Sequence, residues 1–176
     1  MGIPLFLIIA LIFVFTVLLI WQTMYFRNNI ANMTGMMIAM SIGMSTGLIF
    51  GAIFGIVIPD NFFKATIYGM MIGMAAGFIA GMPISSLAVM DGFLSGLMGG
   101  MMGAMLGDMI DAQYYDAIVK LMFFFFLSTL LLLLSIIQKE VKKNSSPFFE
   151  KPSFIIVLYT LTFILFHQMG PIFVVK

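Results

Sequence analysis

Apolar residues fill six long stretches of this chain, separated by short clusters of charged and turn-forming residues. A hydrocarbon core ~30 Å thick takes about 20 helical residues to cross. The pattern therefore predicts an all-α polytopic bundle with spans at 3–24, 33–58, 65–82, 87–109, 117–137 and 154–174. Each break has a local reason. Arg27, Asn28 and Asn29 end the first span with charge and turn formers, and Pro59 cannot continue the second as a helix. Pro83 with Ser85 and Ser86 predicts a tight turn, and either serine can cap the fourth helix. Asp108, Asp111 and Asp116 bracket the next connection, and 138–153 is the one markedly hydrophilic segment.

Inside the spans a second pattern appears. Gly35, Ala39, Gly43, Gly47, Gly51 and Gly55 place a small residue at every fourth position of the second span. The third repeats this with Ala65, Gly69, Gly73, Gly77 and Gly81. The fourth carries two ladders, Gly92-Gly96-Gly100-Ala104 and Gly99-Gly103-Gly107. Residues four apart share a helix face, so each ladder is a groove that another backbone can enter. A glycine-zipper core of spans two to four is the expectation, with Gly43, Gly47, Gly51, Gly73, Gly77, Gly96, Gly100 and Gly103 as its packing residues. The first, fifth and sixth spans are bulky, as in Phe123–Phe126 and Leu130–Leu134. They are expected to flank that core or face lipid. The second and third spans keep Gly43/Gly77 and Gly47/Gly81 in register, as an inverted repeat or shared composition would produce.

Composition reinforces the membrane reading: 62% of residues are hydrophobic and 9% charged, which no soluble exterior could accommodate. One integral membrane domain covering 1–176 is expected. A net charge of +1 offers no basic surface, so nucleic acid is excluded as a partner. Charge matters instead for orientation. With the N-terminus outside, Arg27, Lys139, Lys142, Lys143 and Lys151 fall on the cytoplasmic side, and only Lys64, Lys120 and Lys176 outside. Both termini outside, the 138–153 loop cytoplasmic and the plasma membrane as location are the resulting expectations. Trp21, Tyr25, Tyr114 and Tyr115 fall near span ends, where amphipathic rings prefer the headgroup region.

Methionine is the residue with chemistry to offer. The phrase Gly-Met-Met-x-[Ala/Gly]-Met occurs at 35–40, 69–74 and 100–105. Met36 and Met40, and Met70 and Met74, recur four apart, while Asp91, Ser95, Met98, Met102, Met105 and Met109 form one stripe on the fourth helix. Thioethers fill irregular gaps in cores, and they also ligate soft ions, above all Cu(I). The pairs Met36/Met40 and Gly43/Gly47 resemble elements of the Ctr-type copper transporters. In that family the Met pair and the Gly pair sit on different helices of a three-span protomer. Here they share helices of a six-span chain without a Met-rich tail, so the resemblance implies ligand chemistry and not membership.

Asp91 is expected inside the bilayer boundary, where a carboxylate is either functional or held near the helix N-terminus by its dipole. His167 is the single histidine, and Asp60, Asp108, Asp111 and Asp116 are all expected to face outside, as an acidic mouth that would concentrate cations. There is no cysteine, no paired-carboxylate pocket and no phosphate loop with its lysine, so an enzyme is not expected. Two functions follow. One is a cation transporter or channel-like protein with a Cu(I) path through Met98, Met102, Met105, Met109, Asp91, Met36, Met40, Met70 and Met74. The other is a structural or accessory subunit whose glycine-ladder helices pack against partner helices, with homo-oligomers as one form of that partnership.

Overall fold

Among the described residues, helices form wherever the apolar stretches run, as a backbone in lipid, which has to satisfy its own hydrogen bonds, would require. A computed structural model describes residues 3–25, 27, 30–58 and 61–141. Those residues form α1 (Ile3–Tyr25), α2 (Asn32–Val57), α3 (Phe62–Gly81), α4 (Ser86–Met109), a 3₁₀ turn (Ala112–Tyr114) and α5 (Tyr115–Val141), with no strand among them. Four helices, α2 to α5, are long and apolar enough to cross a membrane. The first predicted span coincides with α1, an apolar helix. The predicted 154–174 span and His167 lie outside the described residues.

Boundaries follow local chemistry. Ser85 caps α4: its Oγ accepts from the Ala88 N–H at 3.2 Å. The turn carrying Pro83 closes with Ile84 N–H donating to Gly81 C=O at 3.0 Å. Backbone alone starts α3, where Asn61 C=O accepts from Lys64 and Ala65. Beyond the predicted end at 137, α5 continues to Val141.

Helices α2, α3 and α4 meet through their small residues. An added Cβ at Gly43 would lie 2.5 Å from Gly92 O, at Gly47 2.6 Å from Gly96 O, at Gly51 2.5 Å from Gly100 O and at Gly55 2.6 Å from Ala104 O. Residue numbers rise together along both helices, so α2 and α4 run parallel. Between them α3 runs the other way: Gly69 meets Gly51 and Gly100, Gly73 meets Gly47 and Gly96, and Gly77 meets Gly43 and Gly92. The three helices thus share an axis built in layers: Gly43/Gly77/Gly92, Gly47/Gly73/Gly96 and Gly51/Gly69/Gly100. The same register extends it to Ala39/Gly81/Ala88 at one end and Gly55/Ala65/Ala104 at the other. All four of those alanines are fully buried. From Ala39 to Gly55 this axis is about 24 Å long at 1.5 Å per residue. The second ladder of α4 is used as well, with Gly99, Gly103 and Gly107 against the backbone of α2 at Met44, Leu48 and Ala52.

Opposite its glycine face, α2 carries Ile38, Ile42, Ile49, Ile53 and Ile56, all buried. They join one apolar cluster with Val119, Phe123, Phe126, Leu130, Leu133 and Ile137 of α5 and Ile12 and Leu19 of α1. So α2 is buried on two faces, by backbone on one and by branched side chains on the other. Thr16, Thr23 and Thr46 are buried too, each donating to the carbonyl four residues back. Trp21, Tyr25 and Tyr114 are exposed at helix ends.

Overpacking separates the axis from its ends. Gly73→Ala and Gly96→Ala each set a methyl against backbone, and the expected loss is about 1–3 kcal/mol. That loss outweighs the up to ~1 kcal/mol that alanine gains in helix propensity. Gly35→Ala meets the Ile84 side chain and no backbone, so only that side chain and the turn that carries it must shift, and it should cost less than either axis change. Unfolding of the three variants in detergent measures the difference.

Candidate functional site

The α4 stripe begins at Asp91, which is half-buried on the second turn of the helix. Next along it, Ser95 is buried and faces α2: its hydroxyl donates to Met40 C=O, and also to Gly92 C=O on its own helix, both at 3.0 Å. This interhelical bond pins the seam between the parallel helices one turn from the Gly47/Gly96 layer. From there outward the stripe changes character. Met98, Met102, Met105 and Met109 are 59%, 53%, 56% and 76% exposed, on the outer surface of α4. A glycine or alanine lies on the other side of the helix at each level, and that side is closed by α2 and α3.

The remaining thioethers divide between faces. Met36 is partly buried and packs against the apolar cluster, whereas Met40 is exposed beside the Ser95 contact. Met70 and Met74 are half-buried on α3, and their backbones lie against Gly100 and Gly96 of α4. The glycines expected to pack, Gly43, Gly47, Gly51, Gly73, Gly77, Gly96, Gly100 and Gly103, are all buried within this one chain. Their faces are already filled by its own helices.

Among the described residues, open pockets beside α5 include the following two. One, ≈ 380 Å³ at the α4–α5 connection, brings Met109 together with Asp111 and Tyr114. The other, ≈ 310 Å³, lies between α2 and α5. Spacing alone did not reveal the second, because it depends on which side of α5 faces α2. Among the described residues, no three of His, Cys, Asp and Glu gather closely enough to hold a metal ion. Any metal chemistry there would rest on thioethers, the soft donors suited to Cu(I). The chain matches no protein-family model, no curated protein and no solved structure.

The seam and the stripe respond differently to substitution. Ser95→Ala removes one interhelical hydrogen bond and should lower stability by about 0.6 kcal/mol. The triple change of Met98, Met102 and Met105 to Leu alters only exposed side chains and should stay within about 0.5 kcal/mol of the parent. Unfolding curves in one detergent check both values.

Proposed function

We propose that this chain is a non-enzymatic structural subunit of the plasma membrane. In this reading it is a single six-span domain with a glycine-zipper core in α2–α4. Both termini lie outside and the 138–153 loop lies on the cytoplasmic side. Its contacts with partner helices, or with a second copy of itself, run through the exposed methionine face of α4. The observation that carries this reading is the closure of the α2–α4 axis: at every layer the glycines are filled by backbone of the same chain. That leaves no width for an ion between those helices. It also shifts the contact surface for a partner away from the ladders and onto the side chains that point outward. Thioether side chains suit such a face, because they adapt to irregular neighbours.

A second reading keeps Cu(I) as cargo. It is favoured by the alignment of Met98, Met102, Met105 and Met109 on one exposed side of α4. A path along them needs a facing partner to enclose it, so this reading requires the homo-oligomer or partner complex that the first proposes.

Because the chain has no cysteine, single cysteines report contacts cleanly. In native membranes, Met98→Cys and Met105→Cys should cross-link to a second copy or a partner well above the level of Val14→Cys on exposed α1. Yields equal to that control would overturn the structural reading. Copper content of the purified protein, and copper tolerance of cells carrying the triple Met→Leu variant, should match the parent under the structural reading. A loss in both would favour Cu(I) transport.

A further inference from the structure

We propose that the ≈ 310 Å³ cavity between α2 and α5 is a binding pocket for a membrane-dissolved lipophilic alcohol. The inference is independent of the structural-subunit reading: Met44 and Leu48 touch the second α4 ladder through their backbones, but no cavity residue is a ladder glycine or belongs to the exposed methionine stripe. Its volume is at the lower end of small-molecule pockets, its walls are mostly apolar with a few polar groups, and it is half open at the surface of the bundle. Met44, Met122 and Phe126 supply adaptable, polarizable wall.

The polar groups are three hydroxyls, from Ser41, Ser45 and Thr129. A hydroxyl has one proton to donate and two lone pairs to offer. Ser45 spends its proton on Ser41 C=O at 2.7 Å, with Ile42 C=O at 3.3 Å. Thr129 donates to Phe125 C=O at 2.9 Å. Both oxygens therefore line the cavity as acceptors only. Among the described residues, the Ser41 hydroxyl donates to no group, so its proton is free for an occupant.

The complement of two acceptors and one donor is a group that both gives and takes a hydrogen bond. A ketone or ester can only accept. A carboxylate or ammonium would find no opposite charge among the lining residues. An alcohol engages two of the three at a time: its single O–H donates to either the Ser45 or the Thr129 oxygen, its lone pair accepts from Ser41, and its chain lies against the thioethers and the Phe126 ring. No covalent step is involved.

The test uses the full chain in lipid nanodiscs and a diazirine-bearing octanol as the probe. Photolabelling should saturate, concentrate on Met44 and Met122, and be displaced by unlabelled 1-octanol. A diazirine-bearing octane, which lacks the hydroxyl, should not label those residues saturably. Ser41→Ala should weaken the octanol site about two- to tenfold, the equivalent of one hydrogen bond. Ser45→Leu should abolish saturable labelling by filling the cavity. If that variant does not fold, Thr129→Leu makes the same test from α5. Non-saturable labelling spread over lipid-facing residues such as Phe13 and Leu132, or equal labelling by the octane probe, would overturn the proposal. So would a cavity filled only by water, with no labelling at all.

Discussion

Everything in the described part of this molecule depends on three helix backbones approaching until carbonyl oxygens of one lie against glycine Cα atoms of the next. In lipid there is no hydrophobic force to bring helices together, because the tails are as apolar as leucine. Dispersion between closely packed backbones has to replace it. Most α2 and α4 ladder glycines, if given a Cβ, would first meet a carbonyl oxygen on a neighbouring helix. That recurrence is the geometry of Cα–H···O=C contacts, each worth about 0.5–1 kcal/mol. In water each glycine would weaken its helix by ~1 kcal/mol relative to alanine. In this fold the absent side chain is what creates the contact.

The second consequence concerns α2. Its small residues at every fourth position face α3 and α4, while its isoleucines fall on the opposite side against α5 and α1. One helix therefore joins a backbone-packed core to a side-chain-packed layer. The parallel course of α2 and α4 follows from α3 lying antiparallel to both with short connections. Ser95 reinforces that seam with a bond that needs no charge and leaves no buried polar side-chain atom unsatisfied among the described residues.

Much of this was legible in the residues themselves. The interval of four among Gly43, Gly47, Gly51 and Gly55 determines a face whatever surrounds it, so the small-residue face of α2 was legible. Ser85 after Pro83 announced the start of α4 for equally local reasons. The methionines were harder to read. Met98 and Met36 have the same chemistry, yet one is exposed and the other packs against the apolar cluster. Hydropathy cannot separate them, because both lipid and protein interior accept a thioether. Nor could spacing tell that the ladders would be filled within one chain rather than by a partner, since a groove does not name its occupant. The α2–α5 cavity depends on the rotation of a helix whose pattern, Phe123 to Phe126 and Leu130 to Leu134, is apolar on every side.

The central claim is that α2, α3 and α4 touch backbone to backbone along one glycine axis. Solid-state NMR of the protein in bilayers, with ¹³C only in glycine, tests it most directly. Assignments carried over from a uniformly ¹³C,¹⁵N-labelled sample then identify which glycine Cα atoms are close in space. The account predicts short-range cross-peaks between Gly77 and Gly92, Gly73 and Gly96, Gly47 and Gly73, and Gly51 and Gly69. A spectrum holding only contacts between glycines of the same helix would contradict it.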